Sequence, residues 1–73
     1  MPAMFDYSKL RGKIIEKFGT ISRFSKELGV SPVTISYKLN NHNMFDQADI
    51  IQFQKALDLN WKEIDEYFFS FKS

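Results

Sequence analysis

The stretch Ile21 to Asn41, ISRFSKELGVSPVTISYKLNN, constrains the fold more than any other part of the chain. It reads as two short amphipathic helices hinged at Leu28-Gly29-Val30. Phe24 and Leu28 lie four apart and share one face of the first helix, while Gly29 can adopt the positive φ that a sharp helix end needs. Val30 is expected to seal the turn. Ser31 is a good N-cap, and Pro32 suits the first helical position because its missing N–H would have no partner there anyway. Ile35 and Leu39 then give the second helix one apolar stripe. Start, stop and buried face agree on two helices packed across a tight turn.

The flanking sequence extends the same pattern. Asp6 can cap a first helix over residues 7–18, whose apolar positions Tyr7, Leu10, Ile14 and Phe18 follow the three-or-four spacing, with Gly19 as its end. Thr20 caps the helix over residues 21–28, and Ser31 the helix over residues 32–40. After the turn-rich Asn40-Asn41-His42-Asn43, Asp46 caps a fourth helix with Asp49 three residues on, a carboxylate suited to the helix N-terminal dipole. Ile50, Phe53 and Leu57 form its core stripe, with Ile51 on the flank. Asn60-Trp61-Lys62-Glu63 resembles a capping box opening a fifth helix, in which Trp61, Ile64 and Phe68 point inward. No strand pattern, internal repeat or linker competes. The expected fold is an all-α, compact five-helix bundle, one domain over residues 1–73, with Phe24, Leu28, Ile35, Leu39, Phe53 and Trp61 in a common core.

At 73 residues a single core is marginal, and eight Phe, three Tyr and one Trp supply the burial per residue that compensates. Phe68, Phe69 and Phe71 cannot all point inward from one helix, so at least one ring is left for a partner or for covering the N-terminal segment. The absence of cysteine excludes a disulfide scaffold or thiolate zinc site. The opening MPAMFDYSKLRGK has no long apolar run, which predicts neither secretory signal nor membrane span and a soluble, cytoplasmic chain. Net charge is only +1, but it is unevenly placed. Up to residue 42, seven basic residues (Lys9, Arg11, Lys13, Lys17, Arg23, Lys26, Lys38) oppose Asp6, Glu16 and Glu27, a balance of +4. Beyond it, Lys55, Lys62 and Lys72 oppose six acidic residues, a balance of −3. Basic charge travels with the two hinged helices.

With Phe24, Leu28, Gly29, Val30 and Ile35 at these spacings, and with the ending LDLNWKEIDEYFF, the chain resembles the phage Cro and repressor type of helix-turn-helix domain. The resemblance covers nearly the whole chain. It implies a bundle of the lambda-repressor-like type and a recognition helix at residues 31–40 laid in the DNA major groove. Three positions depart from the family pattern. Ser25 stands where Ala is usual, at the closest approach of the motif helices, and is nearly as small. Ile21 replaces a common Gln whose side chain donates to phosphate, which moves that duty to Thr20, Ser22 and backbone N–H groups. Lys38 occupies a commonly apolar position next to Leu39.

With Ile35 and Leu39 buried, the opposite face of the third helix presents Val33, Tyr37 and Asn40, flanked by Thr34 and Ser36. These are the expected base readers or partner contacts. Asn40 suits an adenine edge, Thr34 and Ser36 base edges or phosphate, and Val33 a thymine methyl. No Arg or Gln lies on this face, so base readout would be modest and partly apolar. Thr20, Ser22, Arg23, Lys26, Lys38, Asn41 and His42 are the expected phosphate contacts. His42 has no second ligand at metal spacing, and the carboxylates Glu63, Asp65 and Glu66 have no nucleophile or base beside them. Neither metal, cofactor nor enzymatic activity is expected.

Two functions follow. The first is a sequence-specific DNA-binding transcriptional regulator of phage or prophage type, acting on double-stranded operator DNA, with a homodimer as the ordinary way for so small a reader to gain affinity. The alternative is an antirepressor-type modulator that keeps the helix-turn-helix fold but grips a partner repressor protein and alters its DNA binding. The DNA-binding reading leads, and the low net charge, the lack of Arg on the reading face and the exposed Val33 and Tyr37 keep the alternative open.

Overall fold

The computed structural model describes residues 4–71. Five helices follow one another: α1 (Ser8–Phe18), α2 (Ile21–Leu28), α3 (Pro32–Leu39), α4 (Gln47–Leu57) and α5 (Glu63–Phe68). Among the described residues there is no strand; an isolated antiparallel bridge joins Phe5 to Phe71. Among the described residues no helix is long and apolar enough to cross a membrane. Lys72 and Ser73 lie outside the described residues.

Helix boundaries follow the local chemistry. The Asp6 carboxylate accepts from the Ser8 N–H at 2.9 Å, Thr20 Oγ1 from the Arg23 N–H at 3.1 Å, and Ser31 Oγ from the Val33 N–H at 3.2 Å. Asp46 and Asp49 form a reciprocal capping box at the start of α4. Asn60 and Glu63 exchange the equivalent bonds, at 2.9 and 3.0 Å, just ahead of α5. Gly19 at φ 84° and Gly29 at φ 73° end α1 and α2 in the left-handed region, where a side chain would be strained.

The core is built from all five helices: Leu10 and Ile14 of α1, Phe24 of α2, Ile35 and Leu39 of α3, Phe53 and Leu57 of α4, and Phe68 of α5 are buried, with Tyr7 and Leu59 beside them. Its centre is aromatic. Phe53 meets Phe24 and Phe45 edge-on at centroid distances of 4.8 and 5.1 Å, and Phe45 meets Phe68 at 5.2 Å. Ser25 is buried with its hydroxyl donating to the Ser22 carbonyl at 2.7 Å, so the small polar residue is satisfied within its own helix.

Three sequence expectations need correction. Trp61 is 65% exposed, because residues 61–62 form a turn and α5 begins only at Glu63, which takes Trp61 off the inward stripe. Leu59 fills the core instead, its carbonyl held by the Gln54 side-chain amide at 2.6 Å. Leu28 is half-buried against the core's edge, and Val30 is exposed. Backbone bonds close the turn, from Gly29 N–H to the Lys26 carbonyl and from Val30 N–H to the Ser25 carbonyl.

Candidate recognition surface

Helix α3 is anchored by Ile35 and Leu39, so its opposite face is turned outward by the 100° step of the helix. Val33 and Tyr37, one turn apart on that face, are 57% and 50% exposed. Thr34 is exposed, Ser36 half-buried and Asn40 exposed. The helix exit folds back beneath Tyr37: its carbonyl accepts from the His42 N–H at 2.8 Å and from the Asn43 N–H at 3.4 Å. The His42 ring then lies 5.5 Å from the Tyr37 ring. Tyr37 is therefore steadied from one side while the rest of its ring faces out.

Several polar groups expected to contact nucleic acid have partners within the chain. Asn40 Oδ1 accepts from the Arg11 guanidinium of α1 at 3.3 Å. The Asn41 amide clamps the backbone of Phe5, accepting from its N–H at 3.0 Å and donating to its carbonyl at 2.9 Å. Lys38 forms an ion pair with Asp49 of α4, its side chain only 16% exposed, and its ammonium stands 6.0 Å from the Phe45 ring centre. Thr20 Oγ1 caps α2. Ser22, Arg23, Lys26 and His42 remain exposed. Sequence spacing places Lys38 and Asn41 near the motif's rim, but their partners lie 11 and 36 residues away, beyond what a local pattern reveals.

Partial burial pushes the Asp49 carboxyl upward, but the Lys38 ammonium and the Asp46 N–H outweigh it and hold it below the ordinary carboxylate range. Burial pushes the Tyr7 hydroxyl up. Beside the α3 exit, a cavity of about 320 Å³ is lined by Phe5, Tyr7, Phe45 and Phe68, with Asn43 and the 85% exposed Met44 at its border. No group of three His, Cys, Asp or Glu side chains converges among the described residues.

The described residues thus form a five-helix domain whose third helix presents an exposed, partly apolar face. The chain belongs to the family described as "Protein of unknown function (DUF739)", whose model matches residues 3–71. Among solved structures it is similar to the solution structure of the modulator of repression (MOR) of the temperate bacteriophage TP901-1 from Lactococcus lactis. The two are 42% identical, with a TM-score of 0.79 over 89% of this chain and 88% of that one. No curated protein matches. The five-helix, all-α fold is thus that of a small phage regulator.

Proposed function

We propose that this chain is a non-enzymatic modulator of a partner repressor protein, gripping that repressor through the outward face of α3 and thereby changing its hold on DNA. The observation that carries this reading is the division of labour along α3. Val33 and Tyr37 stand exposed as an apolar pair, whereas Lys38, Asn40 and Asn41 are engaged by Asp49, Arg11 and Phe5. A surface whose apolar groups face outward while several of its polar side chains are engaged by partners within the chain matches a protein interface anchor better than a base-reading helix. The modulator of repression to which the chain is similar supports the same reading, and such a protein would act in the host cytoplasm, where repressor and operator meet.

The test is a salt-titrated binding assay of the purified chain against its promoter region, with and without the repressor encoded beside it. Tyr37→Ala should weaken the complex with the repressor by about 2 kcal/mol or more, while Lys26→Ala changes mainly the association rate. Operator-specific binding by the chain alone, weakened uniformly across sequences by Lys26→Ala and relaxed in sequence preference by Asn40→Ala, would overturn the proposal in favour of a DNA-reading regulator.

A further inference from the structure

Helix α3 leaves through a closed loop in which the Asn41 N–H donates to the Lys38 carbonyl at 3.2 Å and the His42 N–H to the Tyr37 carbonyl at 2.8 Å. That exit puts Asn41 in the left-handed region at φ 64°, where glycine is the usual occupant because it has no Cβ to strain. Helices α1 and α2 do turn out through glycine, at Gly19 and Gly29. At position 41 the chain keeps a side chain, and its amide bonds both backbone groups of Phe5, 36 residues away: the N–H at 3.0 Å and the carbonyl at 2.9 Å. Phe5 is in turn a fixed point, bridged to Phe71 and stacked on its ring at 5.0 Å. His42, the residue after Asn41, is exposed, and its ring lies 5.5 Å from that of Tyr37.

We propose that Asn41 is a positioning residue for the recognition face: its grip on Phe5 ties the exit of α3 to the paired early and late segments and so holds the His42 ring against Tyr37. The inference rests on the modulator reading above and adds a control on its main anchor. Ending the helix does not by itself account for Asn41, since glycine would end it at least as well. The two bonds to a distant backbone do account for it. A ring held in place before a complex forms need not be ordered while it forms, and ordering one such side chain weakens a complex by about two- to tenfold.

The experiment is a double-mutant cycle on affinity for the purified repressor encoded beside this chain, using the parent, Asn41→Gly, Tyr37→Ala and the double variant, with NMR of the His42 ring protons in each. Asn41→Gly accepts the positive φ and keeps the two exit bonds, and loses only the hold on Phe5. It should bind about three- to tenfold more weakly than the parent, and its His42 ring signals should move toward those of Tyr37→Ala, which has no aromatic ring beside them. In the Tyr37→Ala background it should cost nothing further, because the residue through which it acts is gone. Parental affinity in Asn41→Gly, a loss that multiplies in full with that of Tyr37→Ala, or unchanged His42 signals would each overturn the positioning role and leave the α3 reading standing. Should Asn41→Gly melt below the assay temperature, Asn41→Asp replaces it with the same expected signs, since it can accept from the Phe5 N–H but cannot donate to the Phe5 carbonyl. Failure of the parent to bind the repressor overturns the modulator reading itself, and the His42 signals then judge the Asn41 clamp on their own.

Discussion

Asp49 shows how one side chain can hold three parts of this domain. Its carboxylate accepts from the Asp46 N–H at 3.0 Å, completing the α4 capping box, and pairs with Lys38 of α3. It therefore fastens the outward-facing helix to the one behind it. Because its folded pKa lies below the ordinary value of 3.8, its contribution is fully present above that value and is lost as pH falls through the folded pKa. Thermal melts should accordingly show an extra loss of stability at pH values below about 3.8 that Asp49→Asn lacks. At neutral pH the Asn variant should be less stable by roughly 1–2 kcal/mol, since it leaves Lys38 half-buried without its counter-charge. Parallel pH profiles for parent and variant would contradict this account.

At the level of single helices, burial separates residues that look alike in the sequence. Ile35→Ala removes a side chain from the closed centre of the core and should cost about 2–5 kcal/mol, enough to unfold much of so small a domain. Trp61→Ala should stay within about 0.5 kcal/mol, because most of that ring is already in water. Denaturant melts of the two variants check both expectations, and a large loss at Trp61 would place its ring in a contact the structure lacks. The helices themselves were legible because their signals are local. Caps at Thr20, Ser31 and Asp46 and the turn glycine at position 29 act within four residues, and the apolar stripes repeat at helical spacing. Trp61 was misplaced because the Asn60–Glu63 capping bonds form around a turn, so a helix drawn from Asn60 rotates the inward face wrongly. For the recognition surface, the exposure of Val33 and Tyr37 followed from the periodicity of α3. The fates of Lys38, Asn40 and Asn41 did not, since each is decided by a partner on another segment.

Across the whole molecule, the aromatic excess does two jobs. One set of rings fills the core around Phe53, and a second ties the chain's early and late segments together. Phe5 stacks on Phe71 at 5.0 Å and meets Phe69 edge-on at 6.0 Å, while the Asp6 N–H donates to the Ser70 carbonyl at 2.6 Å. Asn41 holds the other side of Phe5. Its left-handed φ of 64°, tolerated by Asn better than by most residues, turns the loop after α3 toward that segment. The pairing of Phe5 with Phe71 also means that the order in which the helices are strung is not dictated by their arrangement in space. A short flexible linker leading from Phe71 back to Met4, with the chain reopened between the exposed Gly19 and Thr20, should give a circular permutant that folds with a Tm within about 10 °C of the parent. In that rewired chain α2 comes first and α1 last, and near-parent circular dichroism and melting would show that this architecture is specified by its contacts more than by its thread.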